Sequence, residues 1–371
     1  MFLKLIKYLK NILVIAVITI LLLEISVAVY VHYKKLKIEI PTYSFQNTFA
    51  FWYDLNTDFG TLHLPNDTYR QKKVCYDVTY KSNSEGFRDV ERNKQSKQNR
   101  VVVLGDSFIE GYGVSMEDRL TNFLENAVDK PHLNFGLAGN FGPTQYYILY
   151  KTLAKHYKHD AVLIGILPSN DFIDDDYEIS KKYGGNRYKP FFEGDYPNLK
   201  VVYNLDTITQ SKARPKKHSF KSKLLKNFSY TFALYNYIKA QQYIAKIPKE
   251  TLLVNNQIPS YFNFTKRQLH NVRFAIEQIK AQANGKPVMI FTIPIYKEIK
   301  AYREHKKNPL GKAMQAFCDS THVAYLDLLQ KTNTLTLKEC EELFLSCDGH
   351  WSPKGNAFAK QHILNTFNFY K

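Results

Sequence analysis

The chain has 371 residues, of which 44% are hydrophobic and 23% are charged, so it is long enough for one large globular domain or two small ones, and its composition excludes general disorder. The formal net charge of +17 predicts attraction to an anionic partner, namely nucleic acid, lipid headgroups or acidic polysaccharide, unless the lysine excess is only a compositional bias. No compact nucleic-acid-binding motif occurs, so we predict that nucleic acid is not a partner.

The first predicted element is a hydrophobic segment at residues 12–31. About 20 apolar residues cross a hydrocarbon core of about 30 Å as a helix, which predicts a transmembrane anchor over residues 1–35. A short tail before a first hydrophobic helix usually stays in the cytoplasm, so we expect the remainder to be exported. A cleaved signal peptide is the alternative, but Tyr30, His32 and Tyr33 form a poor cleavage site. Glu24 lies inside the segment and is predicted to be protonated or to lie near its outer face.

Residues 36–98 are predicted to be an N-terminal extension of short strands and turns. Beyond them, short apolar segments alternate with longer helical stretches, which predicts a parallel sheet covered by helices on both faces. The predicted strands are 100–104, 133–135, 161–167, 288–293 and 323–326. The predicted helices begin at 115–118, near Pro143 (running to 157), at the capping box of Thr265 and Gln268, and at Ser352-Pro353.

Residues 177–262 interrupt this alternation, because they are rich in Lys, Tyr and Asn and lack periodicity until about Leu224. We interpret them as an insertion in a domain that covers residues 99–371. The insertion is either a solvated excursion or a lid and substrate platform over a site.

Polar residues follow three of the predicted strands and precede the last helix, at 105–107, 134–140, 168–171 and 348–351. Ligands of an open parallel sheet bind beyond the carboxyl ends of its strands, so one crevice is expected to collect all four segments.

These segments resemble the motif blocks of the SGNH/GDSL hydrolase superfamily. Gly105-Asp106-Ser107 is similar to the first block, and Gly139, Asn170 and His350 match the conserved positions of the second, third and last. The resemblance covers roughly residues 100–367, and the segment 83–88 together with the apolar anchor is similar to bacterial membrane-anchored members. It implies a three-layer α/β/α sandwich with a flavodoxin-like parallel sheet, plus one N-terminal transmembrane helix.

The residue chemistry agrees with this resemblance. A serine hydroxyl needs a base, so Ser107 is the predicted nucleophile, with His350 as the base and Asp348 orienting the imidazole. The resemblance implies an oxyanion hole formed by the N–H groups of Ser107 and Gly139 and the side-chain amide of Asn170.

Two features depart from the family pattern. Pro168 stands where the third block usually has glycine, which predicts a stiffer loop before Asn170. Asp348 precedes His350 by two residues, whereas three is the commonest spacing, so the assignment of Asp348 depends on an irregular loop.

Other residues near these segments have structural interpretations. Asp106 and Asp171 are expected to bond loop amides, and residues 174–176 are expected to form a solvated loop rather than a cation site. Trp351 either lines the pocket or packs the last helix. Of the four cysteines, Cys340 and Cys347 could close a short loop before Asp348, or the thiols could be buried and free.

The predicted function is a serine esterase that hydrolyses or transfers an O-acyl group on an envelope or secreted glycan, or on a lipid. The triad requires neither metal nor organic cofactor. The predicted location is a single-pass membrane protein with the catalytic domain on the extracytoplasmic side. Two alternatives remain open, an O-acyltransferase or a partner of one acting on polysaccharide, and a non-catalytic binding module that keeps the fold. The sequence determines neither the acyl-chain length nor the oligomeric state.

Overall fold

The computed structural model describes residues 2–45, 51–177, 179, 188–203, 219–246 and 259–370. Its centre is a five-stranded sheet in which all four neighbouring pairs are parallel. The strands of this sheet are β5 (Val101–Gly105), β6 (His132–Gly136), β7 (Ala161–Ile166), β10 (Val288–Thr292) and β11 (Ala324–Asp327).

The order of these strands across the sheet is β11-β10-β7-β5-β6, which is the flavodoxin-like order 2-1-3-4-5 when the five are counted along the chain. The sheet therefore has the predicted topology, and each predicted strand lies within one or two residues of an observed one. Every residue of β5, β6, β7 and β10 is buried, since helices flank the sheet and both faces of the strands are covered.

The helices of this domain vary in length from one turn to five. They are α2 (Ser107–Glu110), α3 (Leu120–Val128), α4 (Pro143–Thr152), α5 (Pro168–Asp174), α8 (Lys266–Ala283), α9 (Tyr296–His305), α10 (Pro309–Thr321), α11 (Leu328–Lys331), α12 (Leu337–Glu342) and α13 (Pro353–Thr366). Helix α4 packs on α8, and α3 packs on α13.

The helix ends test the sequence interpretation directly. The capping box is confirmed, because Thr265 Oγ1 accepts a hydrogen bond from the Gln268 amide and Gln268 Oε1 accepts one from the Thr265 amide. The last helix begins at Pro353 as predicted. The helix predicted at 115–118 begins only at Leu120, since the preceding residues form turns. The helix that begins at Pro143 ends at Thr152, and one turn of 3-10 helix, Ala154–His156, follows it.

The described residues before the central domain form one long helix and two hairpins. Helix α1 (Phe2–Tyr33) is long and apolar enough to cross a membrane. Strands β1 (Trp52–Asn56) and β2 (Gly60–His63) pair antiparallel, and so do β3 (Thr68–Lys73) and β4 (Tyr76–Lys81). These short strands lie within the predicted extension of residues 36–98.

The described parts of the insertion contain a small hairpin and two helices. Strands β8 (Phe191–Glu193) and β9 (Lys200–Val202) pair antiparallel. Helices α6 (Phe220–Phe228) and α7 (Tyr230–Ala245) follow, and α7 packs against α1. Much of the predicted lid, including 180–187, 204–218 and 247–258, lies outside the described residues.

Candidate active site

Ser107 is the first residue of α2 and follows β5 almost directly. The Asp106 carboxylate caps this helix by accepting a hydrogen bond of 2.9 Å from the amide of Phe108. Gly136, at the end of β6, lets the helix approach the sheet, because a Cβ there would lie 2.4 Å from the amide nitrogen of Glu110. The end of β5 and the tight contact with β6 therefore fix the position of the serine hydroxyl.

His350 and Asp348 lie in a turn just before α13. The amide of Leu345 donates to the His350 carbonyl at 2.7 Å, and the amide of Asp348 donates to the Leu345 carbonyl at 3.0 Å. Gly349 has a φ of +103°, a left-handed conformation that glycine adopts without the steric cost of a side chain. This turn brings the two side chains together across a spacing of only two residues.

The structure joins these side chains to Ser107 in one hydrogen-bonded row. His350 Nδ1 is hydrogen-bonded to Asp348 Oδ1, and His350 Nε2 lies 2.8 Å from Ser107 Oγ. Because an ionised Asp348 can only accept, Nδ1 carries the proton and Nε2 is the nitrogen that accepts from the serine hydroxyl.

Asp348 has a second partner, a lysine ammonium, that the sequence interpretation missed. The ammonium of Lys73, at the end of β3, forms an ion pair with Asp348 Oδ2. Burial opposes the charge of this carboxylate, but His350 and Lys73 together hold the pKa of Asp348 well below its ordinary value. Asp348 is therefore ionised at neutral pH.

A disulfide links the same two segments of the chain covalently. Cys75, two residues after Lys73, is bonded to Cys347, the residue before Asp348. The pairing of Cys340 with Cys347 considered from the sequence is thus not formed, and Cys318 and Cys340 are buried free thiols. The position of these two cysteines was the one signal in the sequence from which the contact between Lys73 and Asp348 could have been found.

Aromatic rings pack around the imidazole. The ring centroids of Phe108 and Tyr112 lie 5.0 Å and 4.5 Å from that of His350. Trp351 packs edge-on against Phe108 at 5.1 Å and is not among the described residues that line the neighbouring cavity. Of the two interpretations of Trp351, packing is the one that the structure supports.

Asn170 lies in the first turn of α5, and Pro168 occupies the first position of that helix. Proline is well tolerated there because the first amide of a helix has no intrahelical acceptor. The predicted stiff loop is therefore a helix start. The Asn170 side-chain amide donates to the carboxylates of Asp174 at 2.8 Å and Asp106 at 3.4 Å, which orients it beside the strand end that carries Ser107.

Gly139 occupies the loop after β6 with a φ of +95°, and its carbonyl accepts a hydrogen bond of 2.8 Å from Thr61 Oγ1. Its backbone is exposed. It does not line the cavity that contains the other predicted site residues.

That cavity has a volume of about 520 Å³ and is lined by Ser107, Asn170, Asp348 and His350 together. Its apolar lining includes Phe108, Leu167, Ile295, Tyr296, Phe344 and Leu345. Lys37 and Lys297 contribute positive charge to the lining, and Lys37 donates to the carbonyl of Asp348 at 3.3 Å.

Buried carboxyl groups lie behind the site. Asp171 accepts from Tyr146 Oη at 2.8 Å and from the Leu167 amide at 2.9 Å, which agrees with the predicted structural role. Burial raises the pKa of Asp106 to about 7, and burial and the charge of Asp106 raise that of Asp171 well above its ordinary range. Among the residues that the structure describes, no grouping of three or more His, Cys, Asp and Glu is placed to hold a metal ion.

Comparison with known proteins gives likenesses of structure only. The chain matches no protein-family model and no curated protein. Among solved structures it is similar to a lipase/acylhydrolase from Enterococcus faecalis (12% identity, 72% of this chain and 94% of that one, TM-score 0.40). It is also similar to a member of the lipolytic G-D-S-L family from Veillonella parvula (11% identity, 72% and 97%, TM-score 0.36) and to a putative lipolytic protein of that family from Desulfitobacterium hafniense (14% identity, 71% and 98%, TM-score 0.36).

The site geometry adds to the motif resemblance. The chain resembles the SGNH hydrolases. Because the TM-scores lie below 0.5, the fold assignment rests on the observed strand order and not on these likenesses. Three of the four motif residues, Ser107, Asn170 and His350, line one cavity at the carboxyl end of that sheet, together with Asp348.

Proposed function

We propose that the chain is a serine esterase of the SGNH/GDSL type, which hydrolyses or transfers an O-acyl group through an acyl-serine intermediate. The observation that carries this proposal is the distance of 2.8 Å between Ser107 Oγ and His350 Nε2, with the other ring nitrogen bonded to a buried, ionised Asp348. A serine hydroxyl is a competent nucleophile only beside such an oriented base.

In the proposed reaction, Ser107 Oγ attacks the ester carbonyl while its proton passes to His350 Nε2. Asp348 stabilises the imidazolium that forms. The imidazolium then gives its proton to the departing alcohol, which leaves the acyl group on the serine oxygen. Water, or an acceptor hydroxyl, repeats the sequence in reverse and frees Ser107.

The developing oxyanion needs neutral donors. We assign this role to the N–H of Ser107 at the start of α2, the side-chain amide of Asn170 and the N–H of Gly139. One such donor contributes about 2.7–4 kcal/mol to transition-state stabilisation in other enzymes. Of the three proposed donors, Gly139 has the least support from the geometry, because it lies on the loop after β6 and outside the lining of the cavity.

The cavity walls support an acyl ester as the substrate class. A volume of about 520 Å³ with an apolar side accommodates a small ligand, and the apolar wall of Leu167, Ile295 and Phe344 suits an acyl group. Lys37 and Lys297 suit a polar or anionic group on the alcohol side of the ester. An O-acylated envelope or secreted glycan, or a lipid, has this combination of properties.

We further propose that α1 anchors the protein in a membrane, with the catalytic domain on the extracytoplasmic side. The apolar helix is the basis for the anchor. The bond between Cys75 and Cys347 favours an oxidising compartment, since structural disulfides are rare in the cytosol. Protease added to intact spheroplasts should digest the domain, and digestion only after lysis would contradict this orientation.

Labelling with a fluorophosphonate probe tests the catalytic proposal. The parent protein should label, whereas Ser107→Ala and His350→Ala should not. Ser169→Ala is the matched control, because Ser169 lines the same cavity and should leave labelling unchanged.

The same variants separate the remaining functions. Ser107→Ala should abolish hydrolysis of p-nitrophenyl acetate without unfolding the protein, and turnover at the parent rate would refute the nucleophile assignment. An unlabelled parent protein would favour a binding module. Turnover of an acetylated glycan with and without an acceptor sugar distinguishes a hydrolase from a transferase.

A further inference from the structure

A second cavity, of about 470 Å³, lies beside the end of the membrane-type helix α1. Three parts of the chain form its walls: residues 37–42, which follow α1, strand β3 of the N-terminal extension, and helices α6 and α7 of the insertion. It is separate from the proposed esterase site, and of the described residues Lys37 lines both cavities.

The cavity is held against α1 by packing and by hydrogen bonds. The Leu36 amide donates to the Val31 carbonyl at 3.1 Å, so the chain turns back at the end of the helix. Ile38 and Ile40 then pack in one apolar cluster with Val31 and with Tyr230 of α7. If α1 spans a membrane, this cavity is held at the membrane surface.

Glu24 of α1 binds the wall of the cavity that α6 and α7 form to α1 itself. Its carboxylate accepts hydrogen bonds of 2.7 Å from Ser229 Oγ and from the amide of Tyr230, the first residue of α7. The acidic residue inside the apolar segment thus anchors the insertion to α1. Large apolar side chains of α6 and α7 remain exposed, including Phe220, Tyr235 and Tyr243, as expected where helices lie at a membrane interface.

The lining is strongly cationic for its size. Lys37, Arg70, Lys72 and Lys226 line the cavity, with Glu39 as the carboxylate among the described lining residues. Successive side chains of a strand point to opposite faces, which explains why two of these cations lie together. Arg70 and Lys72 of β3 point to this cavity, whereas Lys73 points to Asp348.

Two of these four cations already have a carboxylate partner. Arg70 pairs with Asp77 at 2.6 Å, and Lys226 lies 3.3 Å from Glu39, which also accepts hydrogen bonds from Tyr69 Oη and Gln71 Nε2. Among the described residues, Lys37 and Lys72 form no ion pair with a carboxylate of the cavity. An anion of the right size would therefore meet positive charge that the protein itself does not neutralise.

We propose that this cavity binds the phosphate headgroup of an anionic membrane phospholipid. Lysine and arginine pair with phosphate through charge-assisted hydrogen bonds, and basic residues beside a membrane helix attract anionic headgroups. The apolar part of the lining, with Ile38, Phe232 and Ala240, suits the glycerol and the first methylenes of the acyl chains. The inference rests on the proposed membrane attachment of α1 but not on the proposed esterase activity.

Native mass spectrometry of the full chain in a neutral detergent tests this site. The protein is incubated with equal amounts of phosphatidylglycerol and phosphatidylcholine, and the retained lipid is counted. The parent should retain one phosphatidylglycerol in preference to phosphatidylcholine. Lys72→Gln should bind it about tenfold more weakly, the loss expected for one charge-assisted hydrogen bond. The double variant with Lys226→Gln should lose the preference altogether.

Lys239→Gln is the matched control, because Lys239 is exposed on α7 beside a lining residue but lies outside the lining. It should bind as the parent does. Equal binding of the two lipids by the parent, or equal weakening by Lys239→Gln and Lys72→Gln, would overturn the proposal. Lys72→Gln alone is decisive if the double variant does not fold.

Inorganic phosphate serves as the competing ligand. It should bind about a hundredfold more weakly than phosphatidylglycerol, because it lacks the apolar part of the lipid. Equally tight binding would make the cavity a soluble-anion site and refute the lipid. Hydrolysis of p-nitrophenyl acetate by Lys72→Gln should equal that of the parent. Lipid retention therefore tests the lipid site and ester hydrolysis tests the esterase, so that either proposal can fail without the other.

Discussion

Lys73 and Asp348 form an ion pair although 275 residues separate them in the chain. The pair joins a hairpin of the N-terminal extension to the turn that carries the proposed base. The Asp348 carboxylate thus has a donor on each oxygen, the imidazole N–H on one and the ammonium on the other. In this protein the extension is part of the proposed active site and not only a linker between the membrane helix and the domain.

Lys73→Gln tests whether this ion pair positions the triad. Without the ammonium, Asp348 Oδ2 loses its ion-pair partner, so the carboxylate that orients the imidazole is held less firmly. We expect kcat at neutral pH to fall about tenfold, as one charge-assisted hydrogen bond is lost. Lys81→Gln, exposed on the same hairpin, is the control, and an unchanged kcat in Lys73→Gln would leave Lys73 a merely structural role.

Asn170→Ala tests the proposed oxyanion donor. Its amide lies at the start of α5 and lines the cavity of Ser107. Loss of a donor that acts only in the transition state should lower kcat by about 10²–10³ with little change in KM. Ser169→Ala, one residue away, should be nearly neutral. A rise in KM at constant kcat would instead assign Asn170 to substrate binding.

Gly349→Ala tests the turn between the base and its carboxylate. Apart from the two adjacent residues, no described residue has an atom within 4 Å of a Cβ at this position, so space does not limit the substitution, but the φ of +103° does. We expect a cost of about 1 kcal/mol or more in stability and a larger relative loss of activity, because the turn orients both side chains. Gly285→Ala, also open around its Cβ with a φ of +81°, should lower stability without lowering kcat.

Removal of the disulfide by Cys75→Ala and Cys347→Ala tests the covalent tie. The bond closes a loop of 272 residues in sequence, and loss of such a bond typically costs 2–5 kcal/mol. Chemical denaturation should show this loss, and kcat should fall because Asp348 follows Cys347 directly. Cys318→Ala removes a buried thiol that is not bonded, and it should leave kcat unchanged. Reduction of the parent with dithiothreitol should reproduce the double variant.

Glu298→Gln tests a buried carboxyl outside the lining of the Ser107 cavity. Burial raises the pKa of Glu298 to about 7, although its oxygens accept hydrogen bonds from the amides of Ile295 and Tyr261. The folded state therefore holds a proton that the unfolded chain releases near pH 4.3, and the stability from this group is lost as pH rises from about 4 through 7.

The parent should consequently lose up to about 3 kcal/mol more than Glu298→Gln between pH 4 and pH 8. Urea denaturation in detergent at several pH values measures this difference. Asp106, whose pKa is also raised to about 7, titrates in both proteins, so its contribution to the free energy of unfolding cancels in the comparison. Parallel curves for the two proteins would show that Glu298 does not titrate in this range.

The elements of the central domain were predictable because their signals are local. A few neighbouring residues are enough to indicate each of them: the apolar strands, the capping box of Thr265 and Gln268, and the proline that begins α13. The motif segments followed from the same reasoning, since strand ends of a parallel sheet share one edge. The predicted start of α3, at 115–118, lies a few residues too early, because the turn residues before Leu120 are of the types that also begin helices.

The sequence by itself determined the sheet, its covered faces and the nearness of Ser107, Asn170, Asp348 and His350. Only the tertiary structure decided which cysteine meets Cys347, that Lys73 pairs with Asp348, and that Glu24 holds the first turn of α7. These contacts join residues 205 to 275 positions apart, and no period or cap within one segment encodes them. Local propensity selects helices and strands, whereas the pairing of distant polar groups depends on how the packed apolar surfaces bring them together.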